Sequence, residues 1–478
     1  MQRSFRTSLS RRGCLAGLAG GTLAGARLAA QTRRPNIVLV LADDLGWADL
    51  GCYGADLHET PHLDRLARDG MRFTEAYSAS PVCTPTRASI MTGKHPARLG
   101  MTIWHEAAEN PPRGRKVTPP PAVGNLPLAE VTLAEHLDDA GYLTALVGKW
   151  HLGTAGFYPE TQGFDINVGG TFWGAPATFF HPYKGAHRFG GEYRYVPGLP
   201  GGQPGEYLTD RLTDEALKVI DMAGERPFFL YLAHHAPHTP MEAKPKLVEK
   251  YRDKLRPGLR HTNPTYAAMV ESLDESVGRV RRRLEERGLA RNTVFVFLSD
   301  NGGYLQASDG EIITSNDPLR SGKGSLYEGG VRVPLLVDWP GVTRPGAVSA
   351  EPVVSTDLFA TLLDAAGVAG ERPPDGISLA GLLRDPKATL PRGALYFHYP
   401  HYYATTSPVS AIRAREWKLL EYLEDGRNEL YHLARDPGER TDLAAREPAR
   451  AAALRRQLDD WRKQIGARMP VPNPAAAP

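Results

Sequence analysis

The chain has 478 residues, 41% hydrophobic and 23% charged, a balance that can bury a large core and excludes a disordered or low-complexity polymer. Its formal charge of +3 comes from the first thirty residues, where Arg3, Arg6, Arg11, Arg12 and Arg27 stand without an acid, so the remainder is slightly negative. No chain-wide basic field is left to favour nucleic acid or an anionic membrane surface.

Residues 1–30 read as an export signal: a basic start, an Ala/Gly/Leu stretch from Cys14 to Ala26, and small residues at Ala29 and Ala30. The stretch is too short and too glycine-rich to span a membrane. Ser10-Arg11-Arg12-Gly13-Cys14-Leu15 resembles the twin-arginine motif, with Cys14 where an aromatic is usual. An exported protein, periplasmic or extracellular in a bacterium, is expected. Removal of the leader leaves Cys52 and Cys83, which either pair as a disulfide or stay free.

Asn36 to Ala42 is a continuous apolar run, as expected of a parallel strand covered on both faces, and it ends in Asp43-Asp44. Ser80 to Ser89 includes Cys83-Thr84-Pro85-Thr86-Arg87 and reads as a helix start, with Cys83 at its N-terminal end, Pro85 in the first turn and Arg87 one turn on. Free N–H groups and a cation near Cys83 suit an anion. A helix with a Thr132/Glu135 capping box runs to Gly141, followed by a strand over 143–148 and the string Lys149-Trp150-His151-Leu152-Gly153. An extended continuation puts Lys149 and His151 on one face.

Residues 154–206 lack periodicity and read as loops at a pocket mouth, with His181, His187 and Trp173 as candidate substrate-selecting groups. A helix over 206–222 precedes a buried strand over 227–233, which ends in His234-His235-Ala236-Pro237-His238. That histidine spacing fits no standard zinc pattern. After a helix near 264–288, the run from Asn292 to Leu298 repeats the grammar of the first strand and ends near Asp300-Asn301. Ligands in an open α/β sheet bind beyond the carboxyl ends of the strands. Oxygen donors at two such ends can converge on one divalent cation, calcium or magnesium rather than zinc.

Ser321-Gly322-Lys323-Gly324 is not a phosphate-binding loop, because Asp317 stands where the first glycine belongs and Gly324 where Ser or Thr should follow. A capped helix over 355–367 leads to Pro/Gly-rich runs and then to short alternating strands and a helix near 448–465. The expected division is a main domain over 33–385, a small α+β domain with an antiparallel sheet over 386–468, and a disordered tail over 469–478.

Cys83-x-Pro-x-Arg87 followed by Thr92-Gly-x-x-Pro-x-Arg-x-Gly100, with Gly148-Lys-Trp-His-Leu-Gly153 and the Gly322-Lys323 string, resembles the type I sulfatases over roughly residues 35–465. The resemblance implies an alkaline-phosphatase-like α/β fold, a large mixed and mostly parallel sheet between helices. It also implies oxidation of Cys83 to formylglycine by a generating enzyme, and Asp43, Asp44, Asp300, Asn301 and the modified Cys83 around calcium, magnesium being the lesser expectation. Arg87, Lys149 and Lys323 fall where that family meets sulfate, His151 where it meets the formylglycine hydroxyl, and His238 beside the sulfate. The implied reaction is hydrolysis of a sulfated small molecule or glycan, a carbohydrate sulfate first. A phosphodiesterase or phosphonate monoester hydrolase of the same superfold is the alternative enzyme, and a non-catalytic glycan-binding protein the alternative from another class.

Overall fold

The computed structural model describes residues 33–476 apart from 111, 188–190, 308–309, 370–371 and 475. The export signal expected over 1–30 lies outside the described residues.

Nine strands form the main sheet: β1 (Asn36–Ala42), β2 (Met71–Tyr77), β3 (Leu143–Gly148), β4 (Ile166–Val168), β5 (Phe228–Ala233), β6 (Thr293–Ser299), β7 (Arg332–Asp338), β8 (Ala347–Ser349) and β9 (Val353–Val354). Their order is β8-β2-β7-β6-β1-β5-β3-β4, with β9 also on β2. β1 is central and parallel to both β5 and β6, and β7 alone runs antiparallel to its neighbours.

The apolar run of β1 shows why the sheet is covered on both sides. Val38, Val40 and Ala42 enter one core with the helices Pro61–Asp69, Leu208–Met222 and Pro264–Glu286. Ile37, Leu39 and Leu41 enter the other with the helices Cys83–Thr92, Leu133–Asp139 and Asp357–Ala365. Alternate side chains of one strand thus feed two cores, the pattern of a sheet sandwiched by helices.

Beyond residue 385 the strands β10 (Leu395–Tyr399), β11 (Val409–Ala414), β12 (Trp417–Tyr422) and β13 (Asn428–His432) form an antiparallel sheet in sequence order. One face carries Phe397, Tyr399, Ala411 and Leu420, which pack against Tyr77, Val82, Leu326 and Val331 of the main sheet region. The other packs Ile412, Leu419 and Leu430 under the helix Pro448–Ile465 through Leu454 and Leu458. The fold is the expected α/β architecture with an antiparallel C-terminal sheet.

The expectation of a disordered tail fails at its start. Val471 and Pro472 pair antiparallel with Val117 and Thr118, and Asn473 N–H donates to Lys116 O (2.9 Å). Backbone groups make that ladder, so the Ala/Pro-rich composition gave no sign of it.

Candidate active site

Two strand ends bring the acids together. Asp43 and Asp44 follow β1, Asp300 and Asn301 follow β6, and β1 pairs directly with β6 up to Ala42 and Ser299. All four side chains are buried. Asp44 N–H donates to Asp300 Oδ1 (3.2 Å), and Asn301 Nδ2 donates to Asp44 Oδ1 (2.8 Å).

Three cations balance them. Arg87 Nε and Nη2 lie 3.0 and 2.8 Å from Asp300 Oδ2, while Arg87 Nη2 stands 3.8 Å from Asp43 Oδ1. Lys149 Nζ donates to Asp43 Oδ2 (2.7 Å), and Lys323 Nζ to Asp44 Oδ2 (2.8 Å). Cys83 is the first residue of its helix, after the extended N-cap Val82, and is buried beside Asp43 and Asp300 within reach of a common centre. Neither Cys83 nor Cys52 is in a disulfide.

The donor set fits a hard cation. Asp43 Oδ1 and Asn301 Oδ1 are buried oxygens with no hydrogen-bond partner among the described residues. Orphaned acceptors of that kind are costly unless an ion takes them. Burial raises Asp300, and repulsion from Asp43 adds to it, so its carboxyl titrates at about 6. Burial also opposes ionisation of Asp44, yet Lys323 and His238 outweigh it and hold that carboxyl below its usual range.

Above the acids lies a cavity of about 200 Å3 whose floor includes Asp44, Cys83, His151, His238 and Lys323. Burial pushes the Cys83 thiol up despite Lys149 and Lys323, so the unmodified side chain is a neutral, weak nucleophile. Burial and then Lys149 depress His151 to about 4, leaving a neutral imidazole. His238 is depressed to about 3 by burial and Lys323; its Nδ1 lies 2.8 Å from Thr239 O and its Nε2 3.1 Å from Lys323 Nζ. That network makes Nδ1 the donor and Nε2 the acceptor from the Lys323 ammonium.

The structure thus brings together the residues that the resemblance places at the reaction centre: Asp43, Asp44, Cys83, Arg87, Lys149, His151, His238, Asp300, Asn301 and Lys323. It differs in how His151 arrives. β3 stops at Gly148 and His151 takes a left-handed backbone (φ 59°), so the extended continuation does not persist. Thr171 O accepts its N–H (2.9 Å) and Thr84 Oγ1 donates to its carbonyl (2.8 Å), fixing the turn.

The pocket wall held residues that periodicity did not reveal. Trp104 and Glu106 come from the short helix start at 104–109, Arg194 from the hairpin Lys184–Ala186/Tyr193–Tyr195, and Tyr403 from the β10–β11 connection. Of the three loop candidates, His187 lines the pocket, Trp173 lies under the Arg194 guanidinium (5.0 Å), and His181 is placed away from it beside Tyr183. Tyr403 signals itself only through Gly324: a Cβ there would stand 2.0 Å from Tyr403 Cδ1, and φ is 86°. Among the described residues no helix is long and apolar enough to cross a membrane.

Comparison with known proteins agrees with this geometry. Residues 35–368 match the family model described as Sulfatase, and residues 322–464 the one described as N-sulphoglucosamine sulphohydrolase, C-terminal. The chain is 36% identical to the human N-acetylgalactosamine-6-sulfatase over 86% of this chain and 81% of that protein. It is 34% identical to a sulfatase of Formosa agariphila over 90% and 89% of the two. A similar solved structure is that of Ps i-CgsB in complex with k-i-k-neocarrahexaose, with a TM-score of 0.75 and 30% identity over 90% of this chain and 92% of that one. The chain therefore belongs to the sulfatase family and is a sulfuric ester hydrolase.

Proposed function

We propose that the chain hydrolyses a carbohydrate sulfate ester, using formylglycine made from Cys83 and a calcium ion held by Asp43, Asp44, Asp300, Asn301 and residue 83. The observation that carries this reading is the burial of Cys83, as an unreactive thiol, among two lysines, an arginine and two orphaned hard oxygens. A bound calcium supplies Lewis acidity toward oxygen, and formylglycine supplies a hydrated aldehyde as nucleophile. Magnesium suits this set less well if more than six oxygens close around the ion.

The chain's own residues do the rest. Lys149, Lys323 and Arg87 set fixed positive charge where the sulfate oxygens gain charge in the transition state. Lys323 stays protonated, with Asp44 opposing the cost of its burial, while His238 is neutral and accepts from it. That favours Lys323 over His238 as the donor to the leaving alcohol. His151, neutral above about pH 4, is the group that takes a proton when sulfate is released.

The carbohydrate assignment draws on relatives named for N-acetylgalactosamine 6-sulfate and on a neighbour solved with a neocarrahexaose. We assign catalysis to 33–385 and the small α+β domain to 386–468, and infer export through residues 1–30 after modification by a formylglycine-generating enzyme. The test is peptide mass spectrometry across Cys83 of protein matured in its host, with a loss of about 18 Da expected for thiol-to-aldehyde conversion. Turnover of an aryl sulfate should exceed that of an aryl phosphodiester. An unmodified Cys83 removes the nucleophile, and a large diester preference moves the chain to phosphoryl substrates.

A further inference from the structure

Glu106 stands in the first turn of a short helix, His105–Glu109, and its Oε2 lies 3.6 Å from His151 Nε2. Both atoms are buried, and neither has a hydrogen-bond partner among the described residues. Two buried orphans facing each other are a costly arrangement, which a closure of a few tenths of an ångström would relieve. Hydrogen bonds of a catalytic group are commonly loose before substrate arrives.

The surroundings single out Glu106 as the partner of this ring. The charged groups facing His151 are Lys149, Arg87 and Glu106, and only the last favours an imidazolium. Arg194 does not cancel it: Arg194 Nη2 is 3.8 Å from Glu106 Oε1 and is engaged by Glu192. Gly174 packs against the imidazole on one side, where an added Cβ would stand 2.5 Å from its Cε1. His151 Nδ1 is also buried and without a partner among the described residues.

We propose that Glu106 is a positioning residue for His151: its carboxylate accepts a hydrogen bond from Nε2–H, fixes that tautomer, and leaves Nδ1 as the nitrogen that accepts a proton during turnover. The inference rests on the sulfatase reading above. A carboxylate on one ring nitrogen sets which nitrogen carries hydrogen and stabilises the charged ring. Without Glu106 the ring meets cations alone, and protonation at Nδ1 becomes harder.

The test pairs spectroscopy with kinetics on E106Q and E106D. Nitrogen-15 spectra of histidine-labelled protein, with Cys83 unmodified, should show His151 as the Nε2–H tautomer in the parent and in E106D, and as a mixture in E106Q. In matured enzyme, kcat should fall about 10- to 100-fold in E106Q on aryl sulfate and sugar sulfate alike, with KM little changed and part of the loss recovered in E106D. The low-pH limb of kcat should move in E106Q as well. An unaltered tautomer in E106Q overturns the proposal, as does a loss confined to KM on sugar sulfates, which would make Glu106 a reader of the sugar. If matured parent enzyme turns over no sulfate ester, the proposed function fails, while the spectra still decide the pairing.

Discussion

Gly174 leaves little tolerance beside the catalytic candidates: its backbone presses on the His151 ring, and a Cβ there would stand 2.5 Å from Cε1. Gly174→Ala must displace the imidazole, and a displacement near 1 Å costs on the order of 100-fold in rate. The expected result is a kcat loss of that size with an unchanged melting temperature; full activity would show the ring free to move. Asp300 supports a second expectation. Its carboxyl titrates at about 6 without an ion because burial and Asp43 favour the protonated form. A divalent cation must displace that proton, so calcium affinity should fall as pH drops through 6, and calorimetry at pH 5 and 7.5 should show proton release on binding at the lower pH. Equal affinity at both would remove Asp300 from the ligand set. Acids just past a strand commonly cap the next turn, and these were legible as ligands because the same grammar recurs at the ends of two apolar runs, where an open α/β sheet binds its ligands. Glu106 and Arg194 were not, because they come from segments without periodicity and nothing local announces that they face a pocket.

Elements constrain one another through bonds that local sequence does not display. Ser355 looks like the cap of the helix that follows, but that helix begins at Asp357 after Thr356, and Ser355 Oγ instead accepts from Ala79 N–H (3.0 Å) and meets Ser89 Oγ (2.7 Å). The capping box of Thr132 and Glu135, by contrast, forms as read, with both hydrogen bonds present. The difference is physical: a box closes within four residues, whereas Ser355 had a tertiary partner to satisfy. Thr84 works in the same way as Ser355. In the first turn of the Cys83 helix it donates to the His151 carbonyl, so it ties that helix to the left-handed turn after β3. Thr84→Val keeps the volume and leaves a buried carbonyl unpaired, which should cost about 1–3 kcal/mol of stability. Denaturant unfolding should show that loss together with a lower kcat; a stability loss without a change in kcat would mean the turn holds its shape unaided.

At the scale of the whole molecule, the C-terminal sheet completes the site and is joined to the main sheet region by a buried charge cluster. Lys418 on β12 lies 2.8 Å from Glu328 Oε1 and 3.0 Å from Glu439 Oε1, with all three side chains fully buried. Glu328 belongs to the segment between Lys323 and β7, so the cluster braces the stretch that carries the lysine proposed above to meet sulfate. One lysine charge cannot neutralise two carboxylates. Burial raises both acids, but Lys418 and two arginines bring Glu328 down to about 2, while burial and the charge of Glu328 leave Glu439 at about 7. The sign of the consequence follows from linkage. An unfolded glutamate ionises near pH 4.5 and the folded Glu439 near 7, so between those values the folded state holds the extra proton. Stability should therefore fall as pH rises from about 4.5 to 7 and level off above it. Glu439→Gln removes the titration while keeping an acceptor for the Glu328 N–H, so its stability should decline less over that window. Melting curves of parent and variant at pH 5, 6, 7 and 8 under one fixed calcium concentration would measure it. Parallel slopes for parent and variant would show that Glu439 is ionised throughout and that Lys418 pairs with both carboxylates at once.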